Sequence, residues 1–479
     1  MWSGDYASRA YHSMSGAMTA DRRQNTAFAR TLYALYIAFV ASIGGFLFGY
    51  DLVIISGAEI FIRDQFSLTP AQLGFATSSA MLGCIAGPIW GAWISDRFGR
   101  KATLLTAALL FTIGAVGTAL AYNIAVFNAF RILGGVGVGL ASLASPVYIA
   151  EIAPARIRGR LGLMYQLAIT IGAVAATIVS YFLARDMPPT EAWRWMFASV
   201  LVPILAFVML LTGLPASPRW LAEKRRFAEA LAILIRIGGN DEARKELAEI
   251  QLSMQAEVGS IRELFQPAMR AALATGAILA VLNNWTGWTG IAFYLPTLFQ
   301  RAGFTRPSDA IAQNVVVMAG TVLLTLLSVW LIDRVGRRPL WLVCSATMCI
   351  FLVLAGAVFQ FKISGGVIVL VIFLCAAPHS IGLGPLPWLM MSEIYPTRIR
   401  ARAVSLSTTI LWIAAFTGPL LFPVLESSSE KIFHSVAGVF WLYSAVCLFS
   451  LLWGWRFLPE TRGRTLEDIA SSWKRTARP

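Results

Sequence analysis

The chain has 479 residues, of which 57% are hydrophobic and only 13% charged, and its mean hydropathy is +0.67. A soluble domain carries about a quarter charged residues, so this composition excludes an ordinary soluble protein and also a disordered chain. The net charge of +14 would favour nucleic-acid binding in a soluble protein, but here the basic residues lie in short loops between apolar runs. We therefore expect a polytopic α-helical membrane protein that binds no nucleic acid.

Apolar windows of about 20 residues, the length that crosses a bilayer as a helix, recur twelve times. The predicted spans are 31–58, 72–94, 102–121, 125–149, 161–184, 195–214, 271–298, 311–332, 339–361, 366–390, 403–425 and 434–457. The first 29 residues are polar, and the apolar run that follows them is too long for a cleaved signal peptide.

The distribution of basic residues predicts the orientation in the membrane. Of the 39 Lys and Arg residues, seven lie on one side, one lies within a span, and 31 lie on the other side. The seven are Arg63, Arg185, Arg194, Arg301, Arg306, Lys362 and Lys431. By the positive-inside rule, the side with 31 basic residues is cytoplasmic. We expect a multi-pass protein of the cell (inner) membrane with both termini in the cytoplasm.

Three motifs occur twice at nearly the same offset. DRFGRK at 96–101 recurs as DRVGRR at 333–338, EIAPARIRGR at 151–160 as EIYPTRIRAR at 393–402, and LPASPR at 214–219 as LPETRG at 458–463. Such a repeat predicts two six-helix halves of the same topology. The expected units are a tail at 1–30, a half at 31–214, a linker at 215–270, a half at 271–458 and a tail at 459–479.

The long connection at 215–270 contains apolar residues at helical spacing, which predicts amphipathic helices on the membrane surface. These residues are Leu221, Ala228, Leu231, Leu234 and Ile235. A flexible loop is the alternative for residues 238–241.

The repeated motifs, with GYD in the first span and RILGGVGVG in the fourth, resemble the sugar porter branch of the major facilitator superfamily over about residues 33–468. The resemblance implies an all-α membrane protein with twelve transmembrane helices in two halves, which alternately expose a midplane site. It implies a secondary active transporter of a sugar or small polyol, working as a monomer. The five cysteines and three histidines form no ligand motif, so we expect no metal, and we expect no cofactor. A nutrient sensor usually has longer tails, and no reactive set of residues favours an enzyme.

Asp51 and Arg131 are the two charges that lie clearly within spans. Charges at that depth are costly, so each normally faces a cavity or a partner. The resemblance implies that Asp51 binds the coupled proton and that Arg131 modulates its pKa, which favours proton symport. A permanent structural ion pair is the alternative role for these two residues. A proton-independent facilitator and a carrier of a small organic acid remain alternative functions.

The resemblance also implies a sugar site, because amide side chains both donate hydrogen bonds to hydroxyls and accept them. Gln166 and Trp388 match the family pattern, whereas the other positions carry shorter groups, which suits a smaller or less hydroxylated solute. These positions are Asn283, Asn284, Thr289 and Thr321. The two asparagines could instead satisfy helix backbone, and Trp388 could be a packing residue. His379 replaces an aromatic residue and is either a substrate contact or bonded to a helix carbonyl.

The repeated motifs place acids beside arginines at the cytoplasmic surface. We expect ion pairs there that hold the cytoplasmic ends together in one state and break in the other. The candidates are Asp96, Arg97, Arg100, Glu151 and Arg158 in the first half, and Asp333, Arg337, Glu393, Arg400 and Glu460 in the second. Topogenic charges at helix ends are the alternative. Ala216 stands where the family has Glu, so the first network is expected to be weaker.

Two further patterns concern the helices themselves. Gly83, Gly87 and Gly91 share one face of the second span, which indicates close helix packing. In the tenth span, glycines and prolines at 382–387 should interrupt the helix and form a gate. Tyr294 is the corresponding gate candidate in the seventh span.

Overall fold

The computed structural model describes residues 4–154, 157–254, 261–396 and 398–464, with all side chains in these ranges except those at 4–28, 88, 158–160, 261, 268 and 401. The first half has six spans: Gly4–Gln65, Pro70–Phe98, Arg100–Ala119, Ile124–Ile152, Arg158–Asp186, and Pro189–Ser199 with Leu201–Thr212. The second half has Pro267–Trp285 with Trp288–Phe293 and Leu295–Arg301, Pro307–Val335, Arg337–Gln360, Gly366–Pro378 with His379–Leu383 and Pro385–Glu393, Arg400–Phe433, and Ala437–Phe457. We number these spans one to twelve.

The spans confirm a multi-pass membrane protein. In the described residues, ten helices are long and apolar enough to cross a membrane, and the second span, bent by 44°, makes eleven. The seventh span completes twelve but is broken, because Gly287 adopts φ +108° and the helix restarts at Trp288. An added Cβ at Gly287 would collide with the ring of Tyr443, so glycine is required there.

The first helix extends beyond both predicted ends of the first span. It begins at Gly4, within the predicted tail, and its apolar part runs over Ala29–Gln65 instead of ending at residue 58. This difference adds seven residues to the helix, and the first of them, Glu59, has an exposed fraction of 0%.

The linker forms the predicted helices. They span Pro218–Glu223, Phe227–Gly238 and Asn240–Met254, followed by a 3₁₀ turn at Ile261–Phe265. Leu221 and Leu234 are buried as the spacing predicts, while Ala228 is exposed. Residues 238–241 do not form the flexible loop that was the alternative. Only Gly239, which has φ +89°, separates the second linker helix from the third.

The two halves meet along two symmetric seams. The second span packs against the eleventh and the fifth against the eighth, and the repeat relates these two pairs to each other. We call the end of the bundle with 96–101, 333–338 and the linker helices the linker end, and the end with 63–70 and 301–307 the distal end. In the second span, which begins at the distal end, Phe75 contacts Phe416 of the eleventh with ring centroids 6.3 Å apart.

Hydrogen bonds between the halves come from the distal stretch of the first span. The Asn314 side-chain amide donates to Ser56 Oγ at 2.9 Å, and the Thr297 hydroxyl donates to the Glu59 carboxylate. In the part of the chain that the structure describes, no hydrogen bond or ion pair joins the halves at the linker end. The structure is therefore the state in which polar contacts close the distal end.

Glycines allow backbones to touch within the first half. A Cβ at Gly83 would overlap the carbonyl oxygen of Ile132 in the fourth span, and one at Gly87 would overlap the Cα of Gly139. The packing role predicted for these glycines is confirmed. Close backbone contact is a common way for helices to associate in lipid, where no hydrophobic effect drives them together.

We expect Gly83→Ala to destabilise the protein by about 1–3 kcal/mol, because the added methyl group must displace backbone. Gly162→Ala is the matched control, since a Cβ there meets nothing within 4 Å. The control should be neutral or slightly stabilising, because alanine favours helix more than glycine does. Thermal unfolding in detergent, followed by tryptophan fluorescence, measures both. An equal loss in the two variants would show that the contact with Ile132 is not responsible.

Candidate functional site

The structure brings Asp51 and Arg131 together. Arg131 Nη1 lies 3.0 Å from Asp51 Oδ1 and 3.1 Å from Oδ2, and Nη2 donates to the Asp51 carbonyl oxygen at 3.1 Å. The two residues are only 4% and 2% exposed. The Arg131 guanidinium also lies over the ring of Phe197, 5.1 Å from its centroid. The charges of the first and fourth spans therefore compensate each other inside the bundle.

Of the polar residues predicted to contact solute, Gln166 and Trp388 remain exposed. Helical spacing of 100° per residue places Gln166 on a different face of the fifth span from the exposed apolar side chains of Ile171 and Phe182. It lies beside the face on which the Ile169 carbonyl packs against the first span. Trp388 is 40% exposed in the tenth span. Within the described residues, no hydrogen bond connects either side chain to another candidate residue.

Asn283 connects two broken helices. Its side-chain amide donates to the carbonyl oxygens of Leu383 at 3.0 Å and Gly384 at 2.9 Å. These carbonyls lie where the tenth span changes from π-helix to α-helix, and the Leu383 carbonyl lacks its usual i+4 donor because residue 387 is a proline. The geometry of Asn283 matches the alternative in which it satisfies backbone.

Asn284 occupies a small polar cluster in the same region. Its amide donates to the Leu411 carbonyl of the eleventh span at 3.3 Å, and its Oδ1 accepts from the Thr289 hydroxyl at 3.2 Å. Thr321 is buried and donates to the Met318 carbonyl of its own helix at 2.7 Å. In this state the four short polar groups are thus bonded to protein, and Asn284 and Thr289 directly to each other.

His379 begins the π-helical segment of the tenth span. Its carbonyl oxygen accepts from the Gly384 amide at 2.7 Å, and its ring lies 6.4 Å from that of Trp288. The buried Nδ1 atom has no hydrogen-bond partner in the described part of the chain. The predicted interruption of the helix by glycines and prolines is confirmed, because Pro378 closes one α-helix and Pro385 opens the next.

Two repeat-related clusters lie at the linker end, each within one half. In the first, Arg100 Nη2 is 2.7 Å from Glu151, which also accepts from the Ser217 hydroxyl at 2.6 Å. In the second, Arg337 Nη2 is 3.0 Å from Glu393, which also accepts from the Thr461 hydroxyl at 2.5 Å. The third motif thus supplies the hydroxyl in both halves, so the repeat is kept at the level of single bonds.

Three other predicted members lie outside these clusters, and a fourth, Asp333, lies at the edge of the second one. Asp96 and Arg97 are exposed in the last turn of the second span, whereas Arg100, which follows the turn at Gly99 (φ +93°), is buried. Arg97 lies over the Trp93 ring, and the Asp96 carboxylate has no ion pair in the described part of the chain. Asp333 is exposed, 3.7 Å from Arg337. Arg400 Nε donates to the Tyr395 carbonyl.

The expectation for Arg158 lies outside the described side chains.

Glu460 caps the start of the ninth span. Ala216, its counterpart in the first half, has no side chain that could do so. It accepts from the backbone amides of Arg337 and Arg338, both at 3.1 Å, and from that of Arg462 at 2.8 Å. Partial burial disfavours its charge, but these donors outweigh the burial and lower the pKa of the carboxyl. Ala216 offers no such acceptor, and Trp220 covers the equivalent turn at Gly99.

The sequence prediction missed a polar group at the distal end. Glu59, Thr297, Ser56 and Asn314 are each at most 4% exposed and link the first span to the seventh and eighth. The predicted first span ended at residue 58, one residue too early to include Glu59. The apolar residues Ile60 to Ile62, which continue the run, were the signal that could have extended it.

We expect Glu460→Gln to lower thermal stability at neutral pH by about 1 kcal/mol, since an amide cannot accept from three backbone donors. A lowered pKa stabilises the fold above the ordinary Glu value of about 4.3 and loses that effect as pH falls through the folded-state value. The gap between wild type and variant should therefore narrow below about pH 4. Asp333→Asn, an exposed carboxylate at the same end, is the control and should change little. A gap that stays constant over this pH range would refute the capping role.

Comparison with known proteins supplies the family. A family model described as sugar (and other) transporter matches residues 37–473. An arabinose-proton symporter of Bacillus subtilis is 37% identical over 447 residues, covering 92% of this chain and 95% of that protein. A D-xylose-proton symporter of Escherichia coli is 34% identical over 475 residues, covering 92% and 96%.

The structural comparison agrees over the same length. The inward open conformation of the xylose transporter XylE from Escherichia coli matches with a TM-score of 0.81 at 32% identity, covering 92% of this chain and 100% of that one. The sequence matches and this fold both extend over nearly the whole transmembrane region. The chain therefore belongs to the sugar transporter family and has the twelve-helix major facilitator fold that its motifs predict.

Proposed function

We propose that this protein carries a monosaccharide across the membrane together with a proton, by alternating access. The observation that carries the proposal is the buried Asp51–Arg131 pair, since a proton-binding carboxylate inside the bundle is what symport requires. The names of the relatives, arabinose- and D-xylose-proton symporters, support the same activity. Transport, not catalysis, is the proposed activity, and a monomer is the proposed unit.

The pair suggests how the proton acts. Both Asp51 oxygens face Nη1 of Arg131, so protonation removes the charge that this contact balances. The Arg131 guanidinium still keeps its bond to the Asp51 carbonyl and its place over Phe197. The fourth span can then separate from the Asp51 side chain without leaving an unpaired carboxylate in an apolar interior. Protonation before movement is therefore the favoured order.

The linker end is proposed to face the cytoplasm, with both chain termini, in the cell (inner) membrane. The excess of basic residues on that side supports the assignment. The structure would then be inward-facing, because the polar bonds between the halves lie at the distal end. Its likeness to an inward open structure supports this assignment.

A pentose is the first solute to test. Gln166 and Trp388 offer an exposed amide and an exposed ring, a pairing that suits the polar edge and apolar face of a sugar. The amide donors of Asn283 and Asn284 are already bonded to backbone, which leaves fewer groups for hydroxyls. His379 contributes an unpartnered nitrogen nearby in the chain. A small sugar needs fewer partners than a hexose, and the two relatives named above carry names of pentoses.

The linker-end charges are proposed to gate the cytoplasmic side. In this structure the Arg100–Glu151 and Arg337–Glu393 pairs each brace one half. Among the described residues, the exposed side chains of Asp96 and Arg97 make no ion pair and that of Asp333 lies 3.7 Å from Arg337, so all three can reach the other half when that end closes. Bonds of this kind would be made and broken once per transport cycle.

The proposal predicts that an inward proton gradient drives accumulation of a pentose in proteoliposomes, and that Asp51→Asn abolishes accumulation while sugar exchange continues. Radiolabelled arabinose, xylose and glucose are tested with and without the gradient. Asp64→Asn is the control, because this acid lies on the same helix but its side chain is 71% exposed. The control should accumulate sugar like wild type.

Other results would change the assignment. Equilibration without accumulation in wild type would indicate a facilitator and remove the coupling role of Asp51. Accumulation of small organic acids but of no sugar would contradict the sugar assignment.

A further inference from the structure

Glu59 is a carboxylate sealed between the two halves. Its exposed fraction is 0%, and one oxygen accepts a hydrogen bond from Thr297 of the seventh span. The other oxygen, Oε2, is buried and has no hydrogen-bond partner among the residues that the structure describes. It lies two helical turns, about 12 Å along the axis, from Asp51. Neither the Asp51–Arg131 pair nor the linker-end clusters involve it.

The charged neighbours of Glu59 do not neutralise it. Arg63, one turn further on the same helix, pairs with Asp64 at 3.1 Å. Arg301 of the seventh span pairs with Glu426 of the eleventh at 2.8 Å and with Glu430. Among the described residues, no cation lies within ion-pair distance of Glu59. Tyr294, which also faces this region, donates its hydroxyl to the Pro419 carbonyl.

A carboxylate in these surroundings is stable only in its neutral form. Removing an ionised group from water costs several kcal/mol unless a cation or several donors compensate it, and Glu59 has one hydroxyl donor. When neutral, its hydroxyl form can both donate and accept, so the bond to Thr297 survives protonation. Loss of the proton would instead favour separation of the halves, which admits water to the carboxylate.

The surroundings of Glu59 also connect it to movement. Ser56, Glu59 and Arg63 are spaced three and four residues apart and lie on one face of the first span. Two of them bond to the other half, Ser56 to Asn314 and Glu59 to Thr297. These bonds can exist only while the distal end is closed. Closure and burial of Glu59 are therefore one event.

We propose that Glu59 is a second proton-binding site, distinct from Asp51, and that it must bind a proton for the distal end to close. The inference rests on the proposed transport cycle for its physiological meaning, because the distal end is then the outer gate. Its physical content, that closure of this end takes up a proton at Glu59, needs no substrate.

Distances between spin labels test the site directly. Labels at Tyr122→Cys and Phe361→Cys report the distal opening, since these side chains are 77% and 76% exposed at that end of the two halves. All variants carry Asp51→Asn to remove its titration, and Cys349→Ala to remove the one native cysteine that is not buried. Pulsed electron paramagnetic resonance then measures the populations of short and long distances between about pH 6 and pH 9.

With Glu59 present, the open-to-closed ratio should rise with pH by up to about tenfold per pH unit, the limit for one proton. With Glu59→Gln, the closed population should persist at every pH, because the amide keeps the size and the bond to Thr297 without a titrating proton. If Glu59→Gln does not fold, Glu59→Met, which is also neutral, is measured instead. Asp64→Asn is the control and should titrate like the parent.

The outcomes are separable from those of the transport proposal. A ratio that ignores pH with Glu59 present, or that still titrates after Glu59→Gln and Glu59→Met, would overturn the second site. Failure to accumulate sugar would overturn symport but leave the distance titration unchanged, since these measurements contain no sugar.

Discussion

The bilayer offers no water to a polar group, so every such group inside this bundle must find its partner within the protein. Helices satisfy the hydrogen bonds of their own backbone. The groups that a helix cannot satisfy, namely buried side chains and carbonyls at helix breaks, constrain how the spans pack. Asp51 and Arg131 neutralise each other across two spans. Where the tenth helix breaks, Asn283 supplies the donor that the ladder has lost. The same requirement makes Glu59 unusual, because its one hydroxyl partner is too little for a buried charge.

The polar groups are of two kinds: some find their partners within one half, and others only in the other half when the distal end is closed. The arginine–glutamate pairs at the linker end are complete within each half, so they do not depend on how the halves lie. The bonds of Ser56 and Glu59 cross between halves and depend on closure of the distal end. A carrier needs both kinds, since rigid halves must move past each other without losing their own internal structure.

Much of this arrangement follows from the sequence, for reasons that can be named. Long apolar runs fix the spans, and the repeated motifs fix two halves and the pairing of Arg100 with Glu151. A charge within an apolar run needs a partner, which predicted Asp51 with Arg131. Bonding of Asn283 to helix backbone was one predicted alternative, but its partners could not be predicted, because they lie at a helix break a hundred residues away. Which side chains of the 96–101 loop are buried in this state could not be predicted either, because Asp96 ends one helix exposed whereas Arg100 begins the next one buried, after the turn at Gly99.

The bonds of Asn283 have a mechanical consequence. They join the seventh span just before its own break to the tenth span at its break, so the two interrupted helices of the second half share one anchor. Bending of the tenth helix at Gly384 must therefore either move the seventh helix with it or break both of these hydrogen bonds in a buried site. Independent movement of the two interrupted helices is therefore costly.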